Sequence, residues 1–152
     1  NNTLSKLKKN RISDGAATKK DILKLVNKMQ KSMSAIKKLE KKNSLQMKKR
    51  FQRYKKELDI KGKDLNMTEI FATLGKSDIN EEVVRFDSHL GLVANLIKSK
   101  NNIGKKLDFY TQEMLREANT MSSKALISEI KNEAVDIKSS IERMKEHAQN
   151  IE

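Results

Sequence analysis

Apolar residues recur along most of this chain in alternating steps of four and three, the spacing of one helix face. Over the first half the row is Ile22, Val26, Met29, Met33 and Ile36, and Met47, Phe51, Tyr54 and Leu58 resume it. Between them the face passes through Leu39 and then Asn43, where an apolar residue is expected. That interruption predicts a stutter or a kink. Ile79, Val83, Phe86, Leu90, Val93 and Ile97 form an unbroken row. Two more follow: Ile103, Leu107, Tyr110, Met114, Ala118 and Met121, then Ile127, Ile130, Ala134, Ile137, Ile141, Met144, Ala148 and Ile151. No strand alternation is visible. The expected fold is all-α, with long antiparallel helical hairpins packed along coiled-coil-like seams. On periodicity alone, every Met and Phe reads as seam packing.

Polar and glycine positions set the expected ends. Asn1 to Arg11 reads as a basic, frayed lead-in, and Ser13, Asp14 and Gly15 as a turn, so that Thr18 or Asp21 caps the first long helix. Residues 61–66 read as a loop around Gly62, and Asn66 or Thr68 as the start of a short helix ending near Gly75. Asp78 is the expected cap of the next helix, with Glu81 completing a capping-box pattern. Residues 98–102 read as a turn and 122–126 as a turn or hinge.

Composition strengthens the helical reading. The 152 residues include no Pro, no Cys and five Gly, and aromatics are 4% against 35% charged residues. Narrow seams between helices suit such a chain better than a thick core. The absence of cysteine fits a reducing cytoplasm, the expected location. No apolar run approaches bilayer-spanning length, and no signal peptide is visible. The first residue is Asn rather than Met, which reads as a fragment or a processed chain.

Charge divides the chain. Residues 1–63 carry 21 Lys/Arg and 5 Asp/Glu, whereas residues 64–152 carry 12 and 15. The expected organisation is therefore a basic long-helix arm, 1–63, and a helical domain, 64–152. The arm clusters Lys37, Lys38, Lys41, Lys42, Lys48, Lys49, Arg50, Arg53, Lys55 and Lys56. Such density suits a phosphate backbone. An acidic partner or an anionic membrane surface reads the same charge, and so does simple solubilisation. The spacing of Phe51 and Tyr54 favours seam packing over base stacking.

No Gly-rich phosphate loop, HExxH, Cys/His cluster or GxSxG elbow is present. What remains is polar patterning on the helices from 78 to 124. Glu113, Glu117, Thr120 and Lys124 share one face, and Gln112, Arg116, Asn119 and Ser123 a second beside it. Carboxylates one turn apart can hold Mg²⁺ or Mn²⁺, and a nearby Arg can grip a phosphate; a solvated face of ordinary ion pairs is the plainer reading. His89 follows Arg85 by one turn on the flank of a seam. Imidazole suits acid–base work or metal ligation, and equally a half-buried position at a seam edge.

Three stretches carry a family resemblance. DINEEVVRFDSHL (78–90), IGKKLDFYTQEMLREANTMSSK (103–124) and the closing QNIE (149–152) are similar to the C-terminal domain of the YicC/YloC family of bacterial endoribonucleases. Arg11, Gly15 and Asp21 match more loosely. The matching signature residues are Glu82, Arg85, His89, Asp108, Gln112, Glu113, Arg116, Glu117, Asn119, Thr120, Ser123 and Lys124. The chain departs from the pattern at Leu115, where the family usually has Asn, and at Leu126 and Ile127, where it tends to have Asn-Asp. Those changes imply either a weakened member or extended packing.

The resemblance implies a cytoplasmic homo-oligomer that cuts RNA with divalent-metal support, and whose own N-terminal domain is not in this chain. The leading expectation is metal-assisted hydrolysis, with Glu113, Glu117 and His89 as catalytic and metal-binding residues and Mn²⁺ or Mg²⁺ as the ion. Arg85, Arg116, Asn119 and Lys124, with Lys48, Lys49, Arg50 and Arg53 of the arm, would contact RNA. A metal-free route has His89 as base toward the 2′-OH. A non-catalytic RNA-binding and oligomerisation module and a purely structural scaffold are the rival classes. No membrane partner is expected.

Overall fold

The structure is a computed structural model that describes residues 2–60, 78–99 and 103–149, with the side chains of the first helix described from Gly15 to Glu57. Four α-helices account for nearly all of it: α1 (Asn2–Ile60), α2 (Asn80–Lys98), α3 (Gly104–Lys124) and α4 (Ser128–Gln149). No strand occurs among the described residues.

α1 packs against α2 and α4, and α3 packs against the same two, so α1 and α3 lie diagonally across a four-helix bundle. Cross-helix pairs fix the directions. Lys19 Nζ donates to the Ser99 carbonyl at 2.9 Å and Lys37 Nζ to Asp87 at 2.7 Å, so numbers rise along α1 as they fall along α2. Lys42 meets Glu129 at 2.5 Å and Lys28 meets Asp136 at 3.9 Å, which makes α4 antiparallel to α1 as well. Lys124 with Glu82 and Arg85 with Glu117 do the same for α2 and α3. The topology is up-down-up-down.

The heptad rows form the core. Ile22, Val26, Met29, Met33 and Ile36 of α1 meet Val83, Phe86, Leu90, Val93 and Ile97 of α2, Leu107, Met114, Ala118 and Met121 of α3, and Ile130, Ile137, Ile141 and Met144 of α4. Phe86 is the largest wholly buried side chain. Ile127 joins this core and Leu115 packs at its edge, so two of the three apolar departures extend packing.

Several expected ends move. α1 runs unbroken through Ser13, Asp14 and Gly15, where a turn was expected. One helical Gly costs about 1 kcal/mol against Ala, and extending an existing helix is far easier than nucleating another. Asn43 interrupts the seam, and α1 continues through it unbroken. Asp78 accepts the Asn80 N–H at 2.9 Å, but the N-cap position belongs to Ile79, and Glu81 turns to Arg85 rather than closing a capping box. The break between α3 and α4 is confined to Ala125–Ile127; Ala125 adopts extended backbone and donates its N–H to Met121. The expected loop at 61–66, the short helix ending near Gly75, most of the 98–102 turn, Leu58 and Ile151 lie outside the residues whose side chains are described.

The second α1 row leaves the bundle. Met47 and Phe51 are half-buried and Tyr54 is exposed. No described helix runs beside α1 past Asn43, because α3 ends at Lys124 and α4 starts at Ser128. Phe109, 57% exposed on α3, likewise lies off the seam.

Candidate functional site

The seam between α2 and α3 gathers five of the twelve signature residues, Glu82, Arg85, His89, Glu117 and Lys124. Glu82 and Arg85 lie one turn apart on α2, and Glu117 and Lys124 two turns apart on α3. Because the helices run antiparallel, these positions face each other in order. Lys124 Nζ donates to Glu82 Oε1 at 2.8 Å. Next along, Arg85 approaches Glu117 at 3.8 Å while its guanidinium also pairs with Glu81 on its own helix. A turn further, the His89 ring lies 6.1 Å from that of Tyr110, which packs edge-on against Phe109 at 5.5 Å.

Burial makes this row unlike ordinary surface ion pairing. Glu82 is 4% exposed and Glu117 5%. A buried carboxylate needs a paired cation to remain charged. Lys124, itself mostly buried, supplies one, and the more exposed Arg85 supplies the other. Three buried side-chain atoms stay without a hydrogen bond among the described residues: Glu82 Oε2 and His89 Nδ1 in this row, and Ser99 Oγ at the end of α2. Groups of that kind are uncommon in native interiors and mark places where a ligand, ion or water completes the set.

The other sequence-predicted residues separate into two groups. Arg116 and Asn119 point outward on the exposed face of α3 with Gln112 and Ser123, apart from the buried row. Lys48, Lys49, Arg50 and Arg53 are exposed on the part of α1 beyond the bundle. Glu113 is half-buried on α3 and has neither an ion pair nor a hydrogen bond among the described residues. Glu113, Glu117 and His89 do not close into a three-ligand group: among the described residues no three His, Cys, Asp or Glu side chains are placed to share a metal ion. Glu117 is turned toward Arg85; Glu113 is the carboxylate that suits an ion completed by water or phosphate oxygens, as Mg²⁺ sites commonly are.

Sequence reasoning missed two contributors. Asn43 is 2% exposed, and its side-chain oxygen accepts the Leu126 N–H at 2.8 Å, tying the α3–α4 connection to α1. Its polar intrusion into an apolar row was the signal, read as a stutter. Tyr110, taken as seam, sits beside His89; only helix register could have shown that.

An all-helical bundle with a buried row of paired carboxylates and cations on one seam thus defines the class. Residues 29–152 match the family described as endoribonuclease YicC-like, C-terminal, and the chain belongs to that family. It is similar to the probable endoribonuclease YicC of Clostridioides difficile (strain 630), 49% identical over 77 residues, which is 51% of this chain and 26% of that protein. It is also similar to the probable endoribonuclease YicC of Haemophilus influenzae, 41% identical over 75 residues, which is 49% of this chain and 26% of that protein. The aligned stretch therefore spans about a quarter of these relatives.

Proposed function

We propose that this chain is the C-terminal part of an endoribonuclease, and that the α2–α3 row receives the scissile phosphate of RNA. The observation that supports this most is the pairing of signature cations with buried signature carboxylates, Lys124 on Glu82 and Arg85 beside Glu117. Glu81 and Glu117 hold the Arg85 guanidinium in place while leaving much of it open to solvent, where it can take a phosphate oxygen. Arg116 and Asn119 on the neighbouring face, and Lys48, Lys49, Arg50 and Arg53 on the arm, steer and hold the strand.

His89, one turn from Arg85, accepts the proton of the attacking 2′-OH. The 2′-oxygen then bonds to phosphorus as the bond to the 5′-oxygen breaks, and that oxygen leaves with a proton from water. Arg85 and Lys124 offset the charge that builds on the phosphoryl oxygens. Glu113 would hold a Mn²⁺ or Mg²⁺ ion, which would supply Lewis-acid stabilisation.

Product ends and EDTA separate these contributions. The His89 route gives 2′,3′-cyclic phosphate and survives EDTA, whereas hydrolysis that depends on Glu113 and Glu117 does not survive it. If Glu113→Gln combined with Glu117→Gln leaves RNA cleavage by the intact protein unchanged, those carboxylates have no part in the reaction. A second reading is a non-catalytic RNA-binding and oligomerisation module. RNA bound by residues 1–152 but cut by the intact protein alone would support it. A homo-oligomer in the cytoplasm belongs to the same proposal. Among the described residues no helix is long and apolar enough to cross a membrane.

A further inference from the structure

α1 leaves the bundle at Asn43 and continues to Ile60 as a projecting arm. At the point of departure the bundle is fastened to it twice. Asn43 accepts the Leu126 N–H at 2.8 Å, and Lys42 meets Glu129 at 2.5 Å. Leu126 therefore stands as a fixed wall beside the arm, two residues from Lys124 at the end of the polar row. Between wall and arm lies an open cleft of ≈ 350 Å³ lined by Gln46, Arg50, Arg53, Tyr54, Glu57 and Leu126. Gln46, Arg50, Arg53 and Glu57 step by four, three and four, so one stripe of the helix faces it, with Tyr54 adjoining. Tyr54 is 40% exposed, and neither arginine has an ion-pair partner among the described residues.

We propose that this cleft holds one nucleotide unit of single-stranded RNA, its base stacked on Tyr54 against Leu126 and its flanking phosphates on Arg50 and Arg53. Every base offers a π-face that an aromatic side chain can cover, and guanidinium groups suit phosphate oxygens. Glu57 repels phosphate from its end of the stripe and can accept from an exocyclic amino group of the base. A duplex cannot enter in this way, because its bases are already stacked and paired. A membrane surface fits poorly: among the described residues Tyr54 and Leu126 are the only apolar members of the lining, and an interfacial helix needs a broad apolar face. The proposal rests on the reading of this chain as part of an RNA-cleaving protein, and places a strand-holding subsite next to the Lys124 end of the row.

The test uses a short single-stranded RNA with 2-aminopurine replacing one base, titrated with the intact protein. Binding is expected to quench the probe, and a duplex of the same sequence to bind without quenching. Tyr54→Leu should abolish most of the quench and weaken binding by roughly 5- to 160-fold, the range for loss of one base–aromatic stack. Arg50→Gln with Arg53→Gln should lower the slope of log affinity against log salt by about 1.4, since each phosphate contact on a single strand contributes about 0.7. An unaltered quench in Tyr54→Leu, or an unaltered salt slope in the double variant, overturns the proposal. So does a change of oligomer mass in Tyr54→Leu, which would show a second copy covering the cleft. Cleavage is scored on the same samples. Wild-type quenching without cleavage sinks the nuclease reading and leaves the cleft, whereas wild-type cleavage with unaltered Tyr54→Leu quenching sinks the cleft alone.

Discussion

Lys124 pairs with the buried carboxylate of Glu82 at 2.8 Å. Removing the ammonium leaves both Glu82 oxygens without a partner among the described residues, and breaking buried pairs in this way costs about 3–5 kcal/mol. Because Lys124 is itself about a quarter exposed, Lys124→Met is expected to cost somewhat less, about 2–3 kcal/mol in urea unfolding. Glu82→Gln in the same background should recover much of it; no recovery would mean that Lys124 acts through packing of its stem. Glu129 offers a pH-dependent counterpart. Hydrogen bonds from Lys42, from its own backbone N–H and from Ser128 hold its carboxyl at about 2, below the ordinary value of 4.5. Since the folded-state value is depressed, its stabilising contribution is complete above about 4.5 and is lost as pH falls through about 2. Lys42→Ala should flatten the acid limb of the stability–pH curve in that window, modestly because the pair is solvent-exposed. Spacing placed Glu117 with Lys124 on one face and Arg85 with His89 on another helix. It did not show which carboxylate meets which cation, because that depends on the register between helices.

At the scale of the element, the four-three rows were legible from the start, and every described core residue of α2, α3 and α4 that they named is buried apart from half-buried Tyr110. What periodicity cannot report is whether a partner helix exists beside a given stretch. Met47, Phe51 and Tyr54 continue the α1 pattern and find no described helix beside them. The turn expected at Ser13–Gly15 failed for a related reason: its residues only weakly oppose a helix that is already propagating. Gly91 sits mid-α2 with nothing within 4 Å of the position a Cβ would take. Gly91→Ala is expected to stabilise the fold by about 0.5–1 kcal/mol and raise Tm; destabilisation would show a close neighbour at that surface. Phe86→Ala, in contrast, should cost about 3–5 kcal/mol, the usual result of emptying a wholly buried aromatic site.

Across the whole molecule, charge and fold divide labour. The basic excess lies on residues 1–63, part of it on the projecting stretch of α1, and the bundle carries the buried row. The charge asymmetry was visible in the sequence; the cleft between arm and bundle was not, since it needs Asn43 to fasten a connection 83 residues away. Such an arrangement predicts that arm variants act on RNA affinity and its salt dependence, and that row variants act on cleavage rate with affinity nearly unchanged. The most direct measurement is the single-turnover rate at which the intact protein cuts a structured RNA, compared among wild type, Arg85→Gln and His89→Gln at saturating protein. Losses of about 100-fold or more in both variants, the scale expected for a lost acid–base group or phosphate clamp, are the predicted result. Wild-type rates in both would contradict the assignment of RNA cleavage to the α2–α3 row.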